Sequence, residues 1–314
     1  MQILSLPAMT TAASVPRGGV WVLGFFDGVH AGHQKLLASA AELAEQSGEN
    51  GWVGVWTFSS LPKAGELLTD PTERASLLAC YGVRWLALES FPSVAHLSGE
   101  TFFREILLEQ FAPSAIVCGF NFRFGRGGES AAEDLLRWGA ENGVTVQIVP
   151  PYRMDDRPVS STWIRSLIRE GNVTEANRLL TRPYSITGVV EHGKALGRKL
   201  GFPTANIRLP AGKTAPARGI YACMAVFADK DGVRFEKPGV CNIGSRPTVN
   251  GNTSDITVET WILEYSGDLY GQELQLFFFD KIRDEKQFDT LEALTAQVIK
   301  DGERVRNRFS GTTE

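Results

Sequence analysis

The chain reads Gly24-Phe25-Phe26-Asp27-Gly28-Val29-His30-Ala31-Gly32-His33 between an apolar run and an amphipathic stretch. The apolar run, 19–23, has the composition of a buried strand. The stretch 34–46 repeats its apolar residues at helical spacing. The two histidines therefore stand at a strand-to-helix turn, where the first N–H groups and the dipole of the helix favour an anion. The turn predicts a phosphate-binding site, to which imidazole adds a donor that changes its charge near neutral pH.

Two other interpretations of the histidines remain open. A histidine pair near a helix start is often a helix cap or a half-buried polar contact. A zinc site is less favoured, because the only other histidines are His96 and His192 and the four cysteines form no closely spaced pair. The preceding strand and the Phe-Asp-Gly sequence favour phosphate.

Length and charge limit the class of protein. A chain of 314 residues is compatible with two domains. The net charge of −4 argues against a general nucleic-acid or membrane-surface binder, so any anion site is local. The N-terminus lacks the pattern of a signal peptide, and no apolar run approaches about 18 residues. Scattered cysteines are typical of a reducing compartment. We expect a cytoplasmic protein with no membrane and no nucleic-acid partner.

The first half of the chain alternates strand and helix patterns. Further strands are predicted at 52–58, 84–88, 115–119 and 145–149, and helices at 101–111 and 131–142. This rhythm predicts an α/β domain with a mostly parallel, doubly wound sheet. Ligands of such sheets bind beyond the carboxyl ends of the strands, where the segments 24–33 and 119–125 both fall.

After about residue 182 the pattern changes to short strands. Turn residues at 228–232 and 250–252 separate some of these strands, and 290–306 has the pattern of a terminal helix. The spacing predicts an antiparallel β-barrel or sandwich. The predicted strands are 184–190, 219–227, 237–243, 256–263 and 273–279.

The segment Gly197-Arg198-Lys199-Leu200-Gly201-Phe202-Pro203-Thr204-Ala205-Asn206 is basic and punctuated by glycine. Pro203 fixes its own φ and biases Phe202 toward an extended conformation. In an extended segment Thr204 and Asn206 point to the same side, where a hydroxyl and an amide oxygen could share Mg²⁺ with phosphate oxygens. A hairpin turn with a basic rim is the equally weighted alternative.

Glu259 lies in the alternating stretch 256–263, on the same face as Thr257, Trp261 and Leu263. Partial desolvation between Trp and Leu side chains makes a carboxylate a better base near neutrality. From the periodicity alone, a cross-strand ion pair with an arginine is the favoured alternative.

Taken in order, these motifs resemble the prokaryotic bifunctional riboflavin kinase/FMN adenylyltransferase (FAD synthetase) family. The resemblance spans roughly residues 18 to 305. It rests on the segments 24–33, 119–125, 160–165, 197–206, 241–248 and 258–260, of which the family's H-x-G-H and P-T-A-N motifs are the most recognisable.

The resemblance implies two domains and two reactions. Domain 1–182, Rossmann-like, would adenylylate FMN to FAD with release of pyrophosphate, and domain 183–314, a flavokinase-like barrel with a terminal helix, would phosphorylate riboflavin to FMN. ATP is then the co-substrate and Mg²⁺ the cofactor, while the oligomeric state stays open.

The resemblance also assigns residues to each reaction. Glu259 is the kinase base, and Thr204 and Asn206 hold Mg²⁺. His30, His33 and Arg165 stabilise the adenylyl-transfer transition state. The other residues expected to bind ATP or flavin are Gly24, Phe26, Asp27, Gly28, Asn121, Ser161 and Thr162 for adenylyl transfer, and Gly197, Arg198, Gly201, Pro203, Asn242 and Arg283 for the kinase.

One segment departs from the family. Where the resemblance leads us to expect Thr-Phe-x-Pro-His-Pro, the chain has Thr57-Phe58-Ser59-Ser60-Leu61-Pro62. Loss of a charge-assisted hydrogen bond from that histidine to phosphate would cost about 1.5–3 kcal/mol, and Lys63 would be a poor substitute. A riboflavin kinase with a weakened or inactive adenylyltransferase is therefore the alternative hypothesis. A flavin-binding scaffold without either activity is a third.

Overall fold

The computed structural model describes residues 1–6, 17–48, 51–59, 65–192, 197, 201–246 and 255–310. Its contacts divide the chain into two compact units, Met1–Ser161 and Thr162–Glu314. Among the described residues, no helix combines the length and the apolar character needed to cross a membrane.

The first unit is built on a six-stranded parallel sheet in the order β1-β4-β3-β2-β5-β8. All five neighbouring pairs in this sheet are parallel. The strands of the unit are β1 (Gln2–Leu6), β2 (Val20–Leu23), β3 (Val53–Phe58), β4 (Val83–Glu89), β5 (Ala115–Gly119), β6 (Arg123–Phe124), β7 (Ser130–Ala131), β8 (Thr145–Val149), β9 (Arg153–Met154) and β10 (Arg157–Pro158). Its helices are α1 (Ala31–Gln46), α2 (Pro71–Cys80), α3 (Phe91–Val94), α4 (Gly99–Thr101) and α5 (Ala132–Asn142), with a π-helix at Phe102–Phe111.

Alternate residues of β2 face two separate cores, one on each side of the sheet. Val20 and Val22 belong to the core that includes residues of α1 and α2. Trp21 and Leu23 belong to the core that includes the π-helix and α5, where the Trp21 ring lies edge-on to Phe111 at 4.3 Å between centroids. This period of two, with helices on both faces, confirms the predicted doubly wound α/β sheet.

The predicted helix at 101–111 differs from the observed one. The structure has a single α-helical turn at Gly99–Thr101 and then π-helical winding to Phe111, where Ala112 turns left-handed with φ 43°. The buried residues of this segment are Phe102, Phe103, Ile106, Leu107 and Phe111. They recur at intervals of four to five positions, which wider i→i+5 winding brings onto one face.

The second unit is a closed antiparallel barrel in the order β11-β12-β15-β14-β13-β16. Its strands are β11 (Tyr184–Glu191), β12 (Thr204–Arg208), β13 (Gly219–Ala228), β14 (Arg234–Arg246), β15 (Asp255–Ile262) and β16 (Glu273–Arg283). Its helices are α6 (Ser161–Glu170), α7 (Val173–Leu180) and α8 (Leu291–Phe309). The predicted barrel and terminal helix are confirmed, with Thr290 capping α8 through the N–H of Ala293.

Two features of β16 help the barrel to close. It pairs with both β11 and β13, so that Phe278 stands opposite Tyr184 on one side and Cys223 on the other. The register between β13 and β16 shifts at Ile220/Tyr221 and at Ala222/Cys223, as β-bulges do where a strand bends. A core containing Val305 of α8 packs against residues of β13, β14 and β16.

Candidate functional sites

The turn 24–33 lies where the strand order of the parallel sheet reverses. β3, β4 and β1 follow one another on one side of β2, and β5 and β8 lie on the other. Leu23 pairs with Cys118, so Gly24 and Gly119 leave neighbouring strands at the same edge of the sheet. Such a switch point opens a crevice beyond the carboxyl ends of the strands. Both segments singled out in the sequence therefore border the expected ligand position.

The backbone of this turn is strained. Phe26 has φ 58°, Gly28 has φ 83° and Val29 has φ 39°. Left-handed conformations cost non-glycine residues of order 1–3 kcal/mol, and a β-branched residue adopts them rarely. Burial offsets part of this cost, because the side chains of Phe26 and Val29 are fully buried. Strain held in this way is typical of ligand-binding turns.

The two histidines form one unit at the start of α1. His30 is the N-cap residue, and its Nδ1 accepts the backbone N–H of His33 at 3.4 Å. The two rings stack with centroids 3.6 Å apart and planes 20° from parallel. Gly32 makes this possible, since a Cβ there would lie 3.1 Å from Cε1 and 3.2 Å from Nδ1 of His30. His30 therefore caps the helix through its Nδ1, as the helix-cap alternative predicted. Ligand binding by the pair would use other atoms of the two rings.

Asp27 ties the turn to a neighbouring segment of the same unit. It is buried, and its Oδ1 accepts the backbone N–H groups of Leu68 (2.8 Å) and Thr69 (3.1 Å). Thr69 Oγ1 in turn accepts the N–H of Gly28 at 3.0 Å. Ser161 Oγ donates to the Asp27 carbonyl oxygen at 2.9 Å. These contacts fix the conformation of the turn. Asp27 is buried and therefore supports the backbone of the turn from within the unit.

The remaining residues expected to serve adenylyl transfer lie in different places. Asn121 is exposed just beyond Gly119, in the segment that follows β5. Thr162 and Arg165 belong to α6 of the second unit, where Arg165 Nη2 donates to Thr162 Oγ1 at 3.3 Å. Ser60, Leu61 and Lys63 lie outside the described residues.

In the barrel, Glu259 occupies the middle of a polar row across three strands. It stands opposite Asn206 of β12 on one side and opposite Asn242 of β14 on the other. Thr204 is paired with Trp261 one step along the same face. Because side chains directly opposite in a sheet are neighbours, the row brings the predicted base beside two amide side chains.

Glu259, Asn242 and Thr204 border a cavity of about 340 Å³ in the second unit. Five of the expected kinase residues line it, together with apolar side chains of β15 and α8. Trp261 lies in its wall, with the Phe202 ring edge-on at 4.8 Å. The five are Gly197, Thr204, Asn242, Glu259 and Arg283.

Three other expected kinase residues do not line the cavity. Asn206 borders a smaller groove, and Pro203 borders a third depression. Gly201 forms the turn before β12 with φ 85°. Arg198 lies outside the described residues.

Arg283 enters the cavity wall held by a carboxylate that the sequence analysis did not identify. Its Nε donates to Asp301 Oδ2 at 3.0 Å and its Nη2 to the same oxygen at 2.7 Å. Gln297, one turn earlier on α8, donates to Asp301 Oδ1 at 2.8 Å. Both charged side chains are largely buried, and Asp301 lines the cavity as well. Nothing local in the sequence links positions 283 and 301, so only the fold could reveal this pair.

The same region offers oxygen donors to a hard cation. The Asn206 amide lies 3.2 Å from the Thr204 carbonyl oxygen and 3.5 Å from Thr204 Oγ1, so the two side chains share one side of β12 as predicted. Rotation of the amide about its bond would present Oδ1 instead of Nδ2. Across the described part of the chain, no group of three or more His, Cys, Asp or Glu side chains could hold a metal. A hydroxyl and an amide beside phosphate oxygens fit Mg²⁺ better than zinc.

One amide oxygen at the cavity accepts no hydrogen bond from the described residues. Within the described residues, the buried Asn242 Oδ1 has no hydrogen-bond partner. Buried polar atoms without partners are uncommon, because each forfeits its bonds to water. Its place opposite Glu259 at the cavity makes it a candidate acceptor for a substrate hydroxyl.

Comparison with family models matches both halves of the chain. A model described as FAD synthetase matches residues 12–163, and one described as Riboflavin kinase matches residues 180–309. The two matches fall in the order in which the sequence motifs occur.

Individual relatives align over nearly the whole chain. Proteins named "Bifunctional riboflavin kinase/FMN adenylyltransferase" from Bacillus subtilis and Escherichia coli K12 are 31% and 34% identical to it, covering 93% and 95% of this chain and 92% and 94% of their own lengths. The protein of the same name from Pseudomonas fluorescens is 35% identical over 91% of each chain.

A solved structure from Streptococcus pneumoniae is similar over 97% of this chain and 99% of its own, with a TM-score of 0.85 and 31% identity. It is titled "Crystal Structure of Macrolide-efflux Protein", an activity that differs from those named for the other relatives. This likeness supports the fold.

Proposed function

The chain belongs to the family of bifunctional riboflavin kinase/FMN adenylyltransferases, and we propose that its two units carry out the two reactions in sequence, from riboflavin to FMN to FAD. ATP supplies the phosphoryl group in the first reaction and the adenylyl group in the second. The observation that carries this function is the presence of both family matches in one chain, with each matched half holding its own candidate site.

In the kinase reaction, the 5′-hydroxyl of riboflavin attacks the γ-phosphorus of ATP, giving FMN and ADP. Glu259 takes the hydroxyl proton, a role supported by its position in the cavity wall. Asn242 Oδ1 accepts a hydrogen bond from a substrate hydroxyl, and Arg283 lines the substrate site while Asp301 fixes its guanidinium. Phosphoryl transfer depends chiefly on positioning and charge neutralisation, which these residues supply.

Thr204 and Asn206 would hold Mg²⁺ together with oxygens of the ATP phosphates. The ion, when bound, neutralises negative charge on those phosphates. Gly197, Gly201 and Pro203 shape the chain beside them, and Arg198 is proposed from the sequence alone to contact ATP.

In the adenylyl transfer, a phosphate oxygen of FMN attacks the α-phosphorus of ATP, and pyrophosphate leaves. No covalent enzyme intermediate is required, because the nucleophile is already an anion. His30, His33 and the N-terminal N–H groups of α1 stabilise the charge of the transition state, with Arg165 as a further cation and Asn121 positioning substrate. Gly24, Phe26 and Gly28 shape the turn, Asp27 and Ser161 support it, and Thr162 is proposed to bind substrate.

The boundary between the catalytic domains is proposed at 182/183. The division by contacts instead groups α6 and α7 with the barrel, and the two family matches leave 164–179 between them. We further propose that both reactions take place in the cytoplasm on small-molecule substrates, without nucleic acid. The net charge of −4 supports that last point.

One assay tests both activities. The protein is incubated with riboflavin, ATP and Mg²⁺, and FMN and FAD are separated by chromatography. FAD at a steady rate is the expected result; FMN alone would favour the kinase with an inactive adenylyltransferase, and neither product would favour the scaffold. The match to the FAD synthetase model favours the bifunctional enzyme over these alternatives. Leu61→His then measures how much of the FAD-forming rate the missing histidine accounts for.

A further inference from the structure

Arg74 of α2 is one of the largest fully buried side chains of the protein, with 1% of its surface exposed. Burial of a guanidinium is costly unless the cation is hydrogen-bonded and compensated. Its Nη1 donates to the carbonyl oxygen of Phe25 at 3.1 Å, and its Nη2 donates to the carbonyl oxygen of Phe58 at 2.8 Å. The guanidinium also lies over the Phe25 ring, 4.8 Å from its centroid. One side chain thus joins the turn after β2 to the last residue of β3.

The contact at Phe25 acts on the strained part of the turn. The same carbonyl oxygen also accepts the hydroxyl of Thr57 at 3.0 Å. A trans peptide is planar, so fixing the Phe25 carbonyl also fixes the Phe26 N–H, which points the opposite way. Phe26 is the first residue of the turn with a left-handed backbone. Arg74 therefore sets the orientation from which the chain enters the turn that carries His30.

The contact at Phe58 acts on the end of the neighbouring strand. Phe58 closes β3, three residues before Leu61. The fork of one guanidinium bonds both carbonyls at once, a geometry that a lysine ammonium on a single flexible stem does not reproduce.

The carboxylates near Arg74 favour its charged form beside the turn. Burial lowers the pKa of the guanidinium, while the carboxylates of Asp27 and Asp70 act in the opposite direction. An arginine remains charged under these conditions. Within the described residues Arg74 Nε has no hydrogen-bond partner. The contacts that hold the guanidinium are therefore the two carbonyl oxygens and the Phe25 ring.

We propose that Arg74 is a positioning residue for adenylyl transfer, which holds the ends of β2 and β3 in register so that His30 and the start of α1 meet the α-phosphate of ATP in a fixed geometry. The proposal rests on the proposed function of the first unit. It predicts that Arg74 acts through the backbone, so that its loss lowers the rate of the chemical step more than it weakens ATP binding.

The test compares Arg74→Lys and Arg74→Met in the full chain. Both variants are expected to lower kcat for FMN-to-FAD conversion tenfold to a hundredfold, about 1.4–2.8 kcal/mol. The KM for ATP should stay near the wild-type value in Arg74→Lys, which keeps the charge, and should rise in Arg74→Met. Formation of FMN from riboflavin by the other unit should be unchanged in both. Arg84→Lys and Arg84→Met, at an exposed position of β4, are the matched controls.

A second measurement separates positioning from folding. His30 Nδ1 accepts the backbone N–H of His33, so a change in the turn also changes the surroundings of this ring. Nitrogen-15 NMR spectra of the four histidine side chains should therefore differ between wild type and both Arg74 variants. A melting curve for each variant gives the fraction that is folded at the assay temperature.

Three outcomes would overturn the proposal: a kcat within twofold of wild type in Arg74→Lys, a rate that falls only in proportion to the folded fraction, or unchanged histidine spectra. If wild type makes no FAD, the proposed function of the first unit fails. The histidine spectra still decide whether Arg74 orders the turn.

Discussion

The imidazole rings of His30 and His33 stack at 3.6 Å between centroids because Gly32, between them, has no side chain. Gly32 therefore controls the geometry of the pair.

Gly32→Ala is expected to lower FAD formation about tenfold to a hundredfold, because the added Cβ would displace the ring of His30. Alanine is the better helix former, so thermal stability should not fall with the activity. Steady-state rates for FMN-to-FAD conversion and a melting curve check both points. Ala38→Ser, on the exposed face of α1, is the control, and a wild-type rate in Gly32→Ala would contradict the role given to the ring pair.

Glu259→Ala is expected to abolish FMN formation, with a loss of about 10²–10⁴-fold for a general base, and to leave FMN-to-FAD conversion intact. Separate assays with riboflavin and with FMN as substrate measure the two rates in one preparation. Glu236→Gln, an exposed carboxylate of β14, is the matched control in the same barrel. Kinase activity surviving Glu259→Ala would exclude this carboxylate as the base.

Local pattern was enough to predict the fold class of each unit and the positions of most strands. The alternation of Val20, Trp21, Val22 and Leu23 between two cores follows directly from a period of two, and helix α5 ends at Gly143, as the pattern indicated. Helix α2 was missed although Asp70 caps it through the N–H of Glu73, a start signal present in the sequence.

The supporting contacts of both sites could not be predicted from the sequence. Arg74 contacts residues 16 and 49 positions away, and Asp301 binds Arg283 across 18 positions. A lone arginine or aspartate in an amphipathic helix gives no sign that it faces inward. Such partners become visible only when the fold brings distant segments together.

Asp301→Ala is expected to destabilise the second unit by about 3–5 kcal/mol, because it leaves the largely buried Arg283 cation without its carboxylate. The double variant Arg283→Met with Asp301→Leu should recover much of that stability while kinase activity stays low. Urea unfolding, with the transition of this unit identified by its shift on adding riboflavin, measures the first effect and FMN formation the second. A stable double variant with full kinase activity would show that the pair serves stability alone.

Glu89, buried at the end of β4, should make the stability of the first unit depend on pH. Desolvation raises the pKa of its carboxyl, and the N–H of Ser90, which donates to Oε1 at 2.9 Å, opposes this only in part. The folded chain therefore binds the proton more tightly than the unfolded chain does. The resulting stability is present below the unfolded pKa, about 4.3, and is lost as pH rises through the higher folded value.

Glu89→Gln removes this titration. The variant should be more stable than wild type at pH 7, and the difference should shrink as the pH falls toward 4. Urea midpoints for the first unit, measured across that range, give the comparison, with Glu141→Gln on the exposed face of α5 as the control. Parallel stability curves for wild type and Glu89→Gln would mean that ionisation of the buried carboxyl carries no folding penalty. In that case water or a cation reaches Glu89 in solution.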